Sequence, residues 1–273
     1  MSDWPQSLIL VGAGKMGEAM LRGWLAAGLE PRRVAILEPA PSPSILDLTA
    51  RRGISLNPAL GALEPPEALF LAIKPQTLDA AAPNLAPLAG PRTLVVSILA
   101  GKRIADLRAR LPKAAAFVRV MSNTPAAVGR GASAGAATPE ASDSQRAFTQ
   151  SLMGAVGAFE WLADEALIDA VTALSGSGPA YVFALVEAMA AAGEAVGLPA
   201  DLAMKLARAT VEGAGELLHR EPAVSAGKLR ENVTSPGGTT AAALAVLRAP
   251  DGLAALMTRA VTAAHRRAGE LAG

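Results

Sequence analysis

The chain has 273 residues, a formal net charge of +1 at pH 7, 3% aromatic residues and no cysteine. So small a charge supplies no bulk field toward nucleic acid or an acidic membrane, and the lack of cysteine excludes disulfides, thiolate nucleophiles and cysteine-ligated zinc. The two histidines, His219 and His265, lie far apart in sequence and suggest no metal site.

The polar opening, residues 1–7, lacks a signal-peptide layout, so a soluble cytoplasmic protein is expected. Residues 8–11 form a short apolar run that reads as a buried parallel strand. A helix follows over 18–27, with Gly28 as its C-cap. Further strands are expected over 34–37, 68–73, 93–97 and 117–120, with a helix over 44–52. Strands alternating with helical stretches predict an α/β fold with a doubly wound parallel sheet in a dinucleotide-binding domain over 1–160. Beyond that point Leu167, Ala170, Val171 and Leu174 recur at helical spacing, as do Val182, Leu185, Val186 and Met189. With helices over 202–218 and 253–271 and no further strand run, residues 161–273 read as an all-helical domain. The most apolar stretch, 180–196, carries Glu187 and Glu194 and reads as a buried helix, not a membrane span. Gly193, Gly213 and Gly215 would allow helices to approach closely.

Val11 leads into Gly12-Ala13-Gly14-Lys15-Met16-Gly17, a G-x-G-x-x-G turn between a strand and a helix. The first glycine permits the turn, the second lets backbone approach a pyrophosphate, and the third packs helix on strand. The helix N-terminus then favours the anion. Glu38 ends the second strand, where a carboxylate accepts a ribose 2′-OH and repels a 2′-phosphate, which favours NADH over NADPH. Arg32, Arg33, Arg51 and Arg52 lie near enough in sequence to argue the opposite. Lys74 and Pro75 stop the third strand at its C-terminal edge, where ligands sit in such sheets; an ordinary strand terminator has the same composition. Ile98, Leu99 and Ala100 follow the fourth strand in the same layer.

Two motifs open helices in the second half. In Ser175-Gly-Ser-Gly-Pro-Ala-Tyr181 either Ser177 or Gly178 can cap, with Pro179 in the first turn. In Ser235-Pro-Gly-Gly-Thr-Thr240, Ser235 is expected as N-cap and Pro236 at the first helical position. Gly237 and Gly238 then bare backbone N–H groups, and Thr239 and Thr240 add hydroxyls. That pattern suits a carboxylate or phosphate, and it also suits a cap with spare glycines.

Together these motifs resemble the pyrroline-5-carboxylate reductase family over nearly the whole chain. The likeness runs through residues 12–17, 70–75, 96–97, 123–125, 166–171, 175–181 and 231–240. It implies a Rossmann domain, a helical dimerisation domain, and reduction of the cyclic imine (S)-1-pyrroline-5-carboxylate to L-proline with NADPH or NADH and no metal. It implies a homodimer as the minimal unit, with five dimers joined in a decamer in many members. The pyrophosphate would lie on 11–16, and Ala72, Ile73, Lys74, Pro75, Ile98, Leu99 and Ala100 would line the cofactor. Asn232 would touch it from the partner chain. The substrate carboxylate would lie on amides near Gly237–Thr240, Thr240 would hydrogen-bond the ring nitrogen, and Glu165 would border the site. Glu221 is a looser match to an acidic residue there. Glu38-Pro39 departs from the family's usual small polar or Asn-Arg pair, which puts the usual NADPH preference in doubt.

Three rivals are consistent with the same plan. One is a reductase of a related cyclic imine. Another is a β-hydroxyacid-dehydrogenase-like enzyme with Lys205 as the base. The third is a dinucleotide-binding regulatory protein without turnover.

Overall fold

The computed structural model describes residues 4–271. The chain divides into two compact units, one of Met1–Gly176 with His265–Gly273, the other of Ser177–Ala264. This boundary lies beyond the expected one at 160, which falls inside a strand.

The first unit is built on eight strands: β1 (Leu8–Val11), β2 (Val34–Leu37), β3 (Ser55–Leu56), β4 (Ala68–Leu71), β5 (Leu94–Ser97), β6 (Ala116–Met121), β7 (Gly131–Ala137) and β8 (Gly157–Trp161). They form one sheet in the order β3-β2-β1-β4-β5-β6-β7-β8. The β1, β4, β5 and β6 runs are buried at every position, as strands covered on both faces must be. Chain order reverses between β1 and β4, which pair Leu8 with Ala68 and Val11 with Leu71. A doubly wound sheet opens its ligand crevice at this switch point.

The five expected strands pair in parallel, and the one antiparallel pairing, Val118 of β6 opposite Ala137, is made with the additional strand β7. Three strands were not expected. β3 has two residues, and β7 (GASAGAA) and β8 (GAFEW) lack the apolar runs that mark central strands.

Helices α1 (Lys15–Ala26), α2 (Pro43–Arg52), α3 (Leu78–Leu85), α4 (Ile104–Arg110), α5 (Asp143–Gly154) and α6 (Ile168–Val171) belong to this unit. α1 begins earlier than the apolar pattern suggests, at the glycine turn itself. Ala27, not Gly28, is its C-cap, and Gly28 follows with φ +103°. Trp24 on α1 meets the Phe70 ring edge-on at 4.9 Å and donates its indole N–H to Leu152 O at 2.8 Å. One side chain thereby ties α1 to the sheet and to α5. On the opposite sheet face, Leu69, Val95 and Phe117 pack in one cluster with Leu78 and Leu107.

The second unit contains α7 (Gly178–Ala195), α8 (Ala200–Arg220), α9 (Ala226–Asn232), α10 (Thr239–Leu247) and the start of α11 (Leu253–Leu271). Among its described residues only Ala190, Ala203 and Ala207 are buried. The expected close helix approach occurs at Gly193, where an added Cβ would lie 3.1 Å from the Ala203 methyl; Gly213 and Gly215 face open space. Phe183, Leu185, Leu206, Leu218 and Val246 are exposed.

Candidate active site

The glycine turn is built as its spacing requires. Gly12 has φ +91°, and a Cβ there would press on the backbone of Ala72, 2.7 Å from its oxygen. A Cβ on Gly17 would collide with the Gly12 carbonyl, whereas one on Gly14 would meet nothing within 4 Å. Two glycines therefore serve packing and the middle one leaves open space. Gly14 is also the N-cap of α1 and offers no side-chain cap, so the N–H groups of the first helical turn have no intrahelical acceptor. An uncapped helix start beside open space fits a dinucleotide pyrophosphate.

Strand ends converge on this turn. Gly12 N–H donates to Leu37 O, and Ala72 N–H donates to Val11 O. Glu38, directly after β2, accepts the Ala13 N–H on one carboxylate oxygen at 2.8 Å and the Ala40 N–H on the other at 3.0 Å. Asn57 fixes Glu38 from behind, accepting its N–H and donating to its C=O, both at 2.8 Å. Three of the four nearby arginines are engaged elsewhere, Arg32 and Arg33 with Glu30 and Arg51 with Asp47, whereas Arg52 is exposed and in no ion pair among the described residues. On the first turn of α1, Glu18 accepts the Ser44 hydroxyl and the Arg22 guanidinium. The Ser44 hydrogen bond, aided by Arg22, holds its carboxyl below the usual glutamate range.

Ala72 and Ile73 are half-buried after β4, and Lys74 leads into a single 3-10 turn, Pro75–Thr77. After β5, Ile98 N–H donates to Leu71 O and Leu99 N–H to the Ser97 hydroxyl. Pro75 and Ala100 border a cavity of about 360 Å³ within the first unit, which Lys102, Arg119, Asp169 and Thr172 also line.

Glu165 lies in the same unit. Its Oε1 accepts the Ile104 N–H at 2.8 Å and Arg119 at 3.2 Å. Ser177, Asn232, Ser235, Gly237, Gly238, Thr239 and Thr240 belong to the second unit. Ser177 precedes α7 in helical conformation and makes no capping bond. Ser235 is not the N-cap of α10. That position is Gly238, whose N–H donates to Ser235 O, so Ser235 and Pro236 form the preceding turn, with Gly237 at φ +70°. Thr239 and Thr240 are then the first two helical residues. No side chain caps this helix, so its first-turn N–H groups lack an intrahelical acceptor.

The family model for pyrroline-5-carboxylate reductase dimerisation matches residues 165–271, and one for coenzyme F420-dependent NADP oxidoreductase matches 7–101. The chain is 39% identical over 267 residues to a pyrroline-5-carboxylate reductase of Pseudomonas aeruginosa, covering 97% of this chain and 96% of the relative. It is 40% identical to that of a Synechocystis species, with 96% and 97% covered. The chain belongs to the pyrroline-5-carboxylate reductase family. A solved reductase of this family from Coxiella burnetii superposes with a TM-score of 0.89 at 32% identity, covering 98% of each chain.

Family membership gives the exposed apolar faces of the second unit a use, because they lie within the stretch matched by the dimerisation model. Lys205, the base that an alcohol dehydrogenase would need, is an exposed residue of α8. Arg119 is a functional candidate that only its place marks in the sequence, a charged residue inside the apolar run Phe117-Val-Arg-Val120. Asn57 and Asp169 occupy positions that follow no local pattern. No helix among the described residues is long and apolar enough to cross a membrane.

Proposed function

We propose that this chain reduces (S)-1-pyrroline-5-carboxylate to L-proline by hydride transfer from a reduced nicotinamide cofactor, the last step of proline synthesis. The observation that carries the reading is end-to-end identity to reductases of that name, 39% over 97% of the chain. The glycine turn supports it with open space at Gly14 and an uncapped helix start.

The cofactor supplies the hydride, and the chain's own residues bind and orient. Residues 11–16 hold the pyrophosphate, with Gly17 behind them, and Ala72, Ile73, Lys74, Pro75, Ile98, Leu99 and Ala100 line the cofactor. Glu38 reads the ribose, and its fixed carboxylate favours NADH, since Arg32, Arg33 and Arg51 have carboxylate partners of their own. Those exposed pairs are weak, so NADPH is also accepted. The substrate carboxylate rests on the bare amides at the start of α10, with Gly237 and Gly238 clearing the approach and Ser235 and Thr239 beside it. Thr240 orients the ring nitrogen and relays a proton that comes from water, because a threonine hydroxyl is too weak an acid to be its source. A protonated imine is the better electrophile, and orientation supplies much of the acceleration. Glu165 and Ser177 border the substrate, and Asn232 reaches the cofactor of the other subunit.

The chain works as a homodimer in the cytoplasm, where reduced nicotinamide is available, and five dimers assemble into a decamer. Steady-state reduction of pyrroline-5-carboxylate, with NADH and NADPH run side by side, tests the reading. Turnover favouring NADH supports both the reaction and Glu38 as ribose reader. Turnover favouring NADPH keeps the reaction and overturns the role of Glu38. No turnover with either cofactor transfers the function to another imine or to a protein that binds without catalysis.

A further inference from the structure

Arg119 is a buried cation outside the residues proposed to bind cofactor and substrate. It sits on β6, opposite Ser97 of β5, with its side chain 4% exposed. Its guanidinium is split between two carboxylates: Nη1 lies 3.2 Å from Glu165 Oε1 and Nη2 lies 3.8 Å from Asp169 Oδ1. Glu165 Oε1 also takes the Ile104 N–H from the first residue of α4. Among the described residues, Glu165 Oε2 accepts no hydrogen bond. Arg119 and Asp169 both line the cavity bordered by Pro75 and Ala100, two of the residues assigned to the cofactor. The Ile104 N–H and the Arg119 guanidinium together therefore orient a half-buried carboxylate that has one oxygen engaged and one free.

We propose that Arg119 is a positioning residue for the substrate site: it fixes Glu165 through Oε1, so that Oε2 is held ready for the protonated ring nitrogen of the imine. This rests on the reductase reading and on Glu165 bordering the substrate. A carboxylate held by one backbone N–H alone can turn about that bond and must be ordered when the substrate arrives, and that cost weakens binding. A planar fork orders it beforehand, which a lysine point charge does less well.

The test compares wild type, Arg119→Lys, Arg119→Met, Glu165→Gln and the double variant Arg119→Met/Glu165→Gln in steady state, with melting temperatures and NADH affinity measured on each. Arg119→Lys keeps a charge beside the two carboxylates if the methionine variant fails to fold. KM for the imine is expected to rise about tenfold or more in Arg119→Met and in Glu165→Gln, as a misplaced binding group costs, with NADH affinity within about twofold of wild type. Arg119→Lys recovers part of the loss. The double variant is expected to be little worse than either single one, because the two residues act as a unit. An unchanged imine KM in folded Arg119→Lys and Arg119→Met overturns the proposal. So does a loss in which stability, NADH affinity and imine KM fall together, which marks a purely structural ion pair. A Glu165→Gln enzyme with wild-type KM overturns the placement of Glu165 and the proposal with it, while the reductase reading survives. Absence of turnover in wild type overturns both.

Discussion

The carboxylate of Glu38 accepts the backbone N–H of Ala13 at 2.8 Å, so the end of β2 is fastened to the turn that follows β1. If Glu38 reads the ribose as proposed, this fixed negative charge repels a 2′-phosphate. Glu38→Ser removes the charge and keeps a short polar side chain. Efficiency with NADH is expected to fall about tenfold or more, the scale of losing a hydrogen bond to a charged group, while efficiency with NADPH rises. The ratio of kcat/KM for the two cofactors measures it, and an unchanged ratio assigns selectivity to other residues.

Gly12 and Gly14 look alike in the motif but carry different burdens. A methyl at position 12 meets the Ala72 backbone and sits at φ +91°. Gly12→Ala is therefore expected to lose roughly 2–4 kcal/mol of stability, the range for a core clash combined with backbone strain. A Cβ at position 14 meets no protein atom within 4 Å. If the pyrophosphate lies there as proposed, Gly14→Ala should fold with a melting temperature near wild type and lose NADH affinity by about tenfold or more. Differential scanning fluorimetry with and without NADH separates the two effects. Equal destabilisation by both substitutions would contradict the division of roles.

The sequence made the cofactor half legible because its chemistry is local. A strand, three spaced glycines and a helix occupy one continuous stretch, and the strands on either side of the switch point are unbroken apolar runs. The far edge of the sheet was not legible. β7 consists of glycine, alanine and serine, and β8 alternates small, aromatic and charged residues, so tertiary pairing alone makes them strands. The N-cap of α10 was misplaced for a related reason. Ser235 has good capping chemistry, but Gly237 turns the chain through positive φ, and the helix starts only after Gly238. Arg119 was hidden because its carboxylate partners lie 46 and 50 positions away in sequence.

Glu18 supplies a pH signature. The Ser44 hydroxyl, with Arg22, holds its native carboxyl below the usual range. A depressed native value contributes stability that is fully present above the unfolded value and is lost as pH falls through the native one. Glu18→Gln should therefore be less stable than wild type near neutral pH, and the gap should close in acid. Urea midpoints across an acid titration check this. The partners are partly exposed, so the gap will be small, and a gap that widens in acid would contradict the assignment.

The α10 helix contains no charged residue, yet none of its residues is buried, and Val246 is 73% exposed. A helix that is apolar all round is normally covered. The dimerisation family model includes this segment. Val246→Asp is expected to shift the protein toward monomer in analytical ultracentrifugation, with activity falling in parallel if the site is shared between subunits. A Val246→Asp protein that sediments as wild type does would place the interface on other faces of the unit.

Thr240 is the second residue of α10, and no capping side chain competes with it for the helix start. If its hydroxyl orients the ring nitrogen, its loss should act on the reaction and leave the fold alone. Thr240→Ala removes a hydroxyl from a half-exposed position, where substitutions usually cost within about 0.5 kcal/mol. A positioned proton-transfer partner contributes about a hundredfold or more, so kcat should fall by that order while the melting temperature barely moves. Thr240→Ser retains the hydroxyl and should retain most of the rate. Loss of rate in both variants would point to the threonine methyl and to packing. Full activity in Thr240→Ala would remove the hydroxyl from the reaction and leave the backbone amides of the same turn as what this helix start contributes.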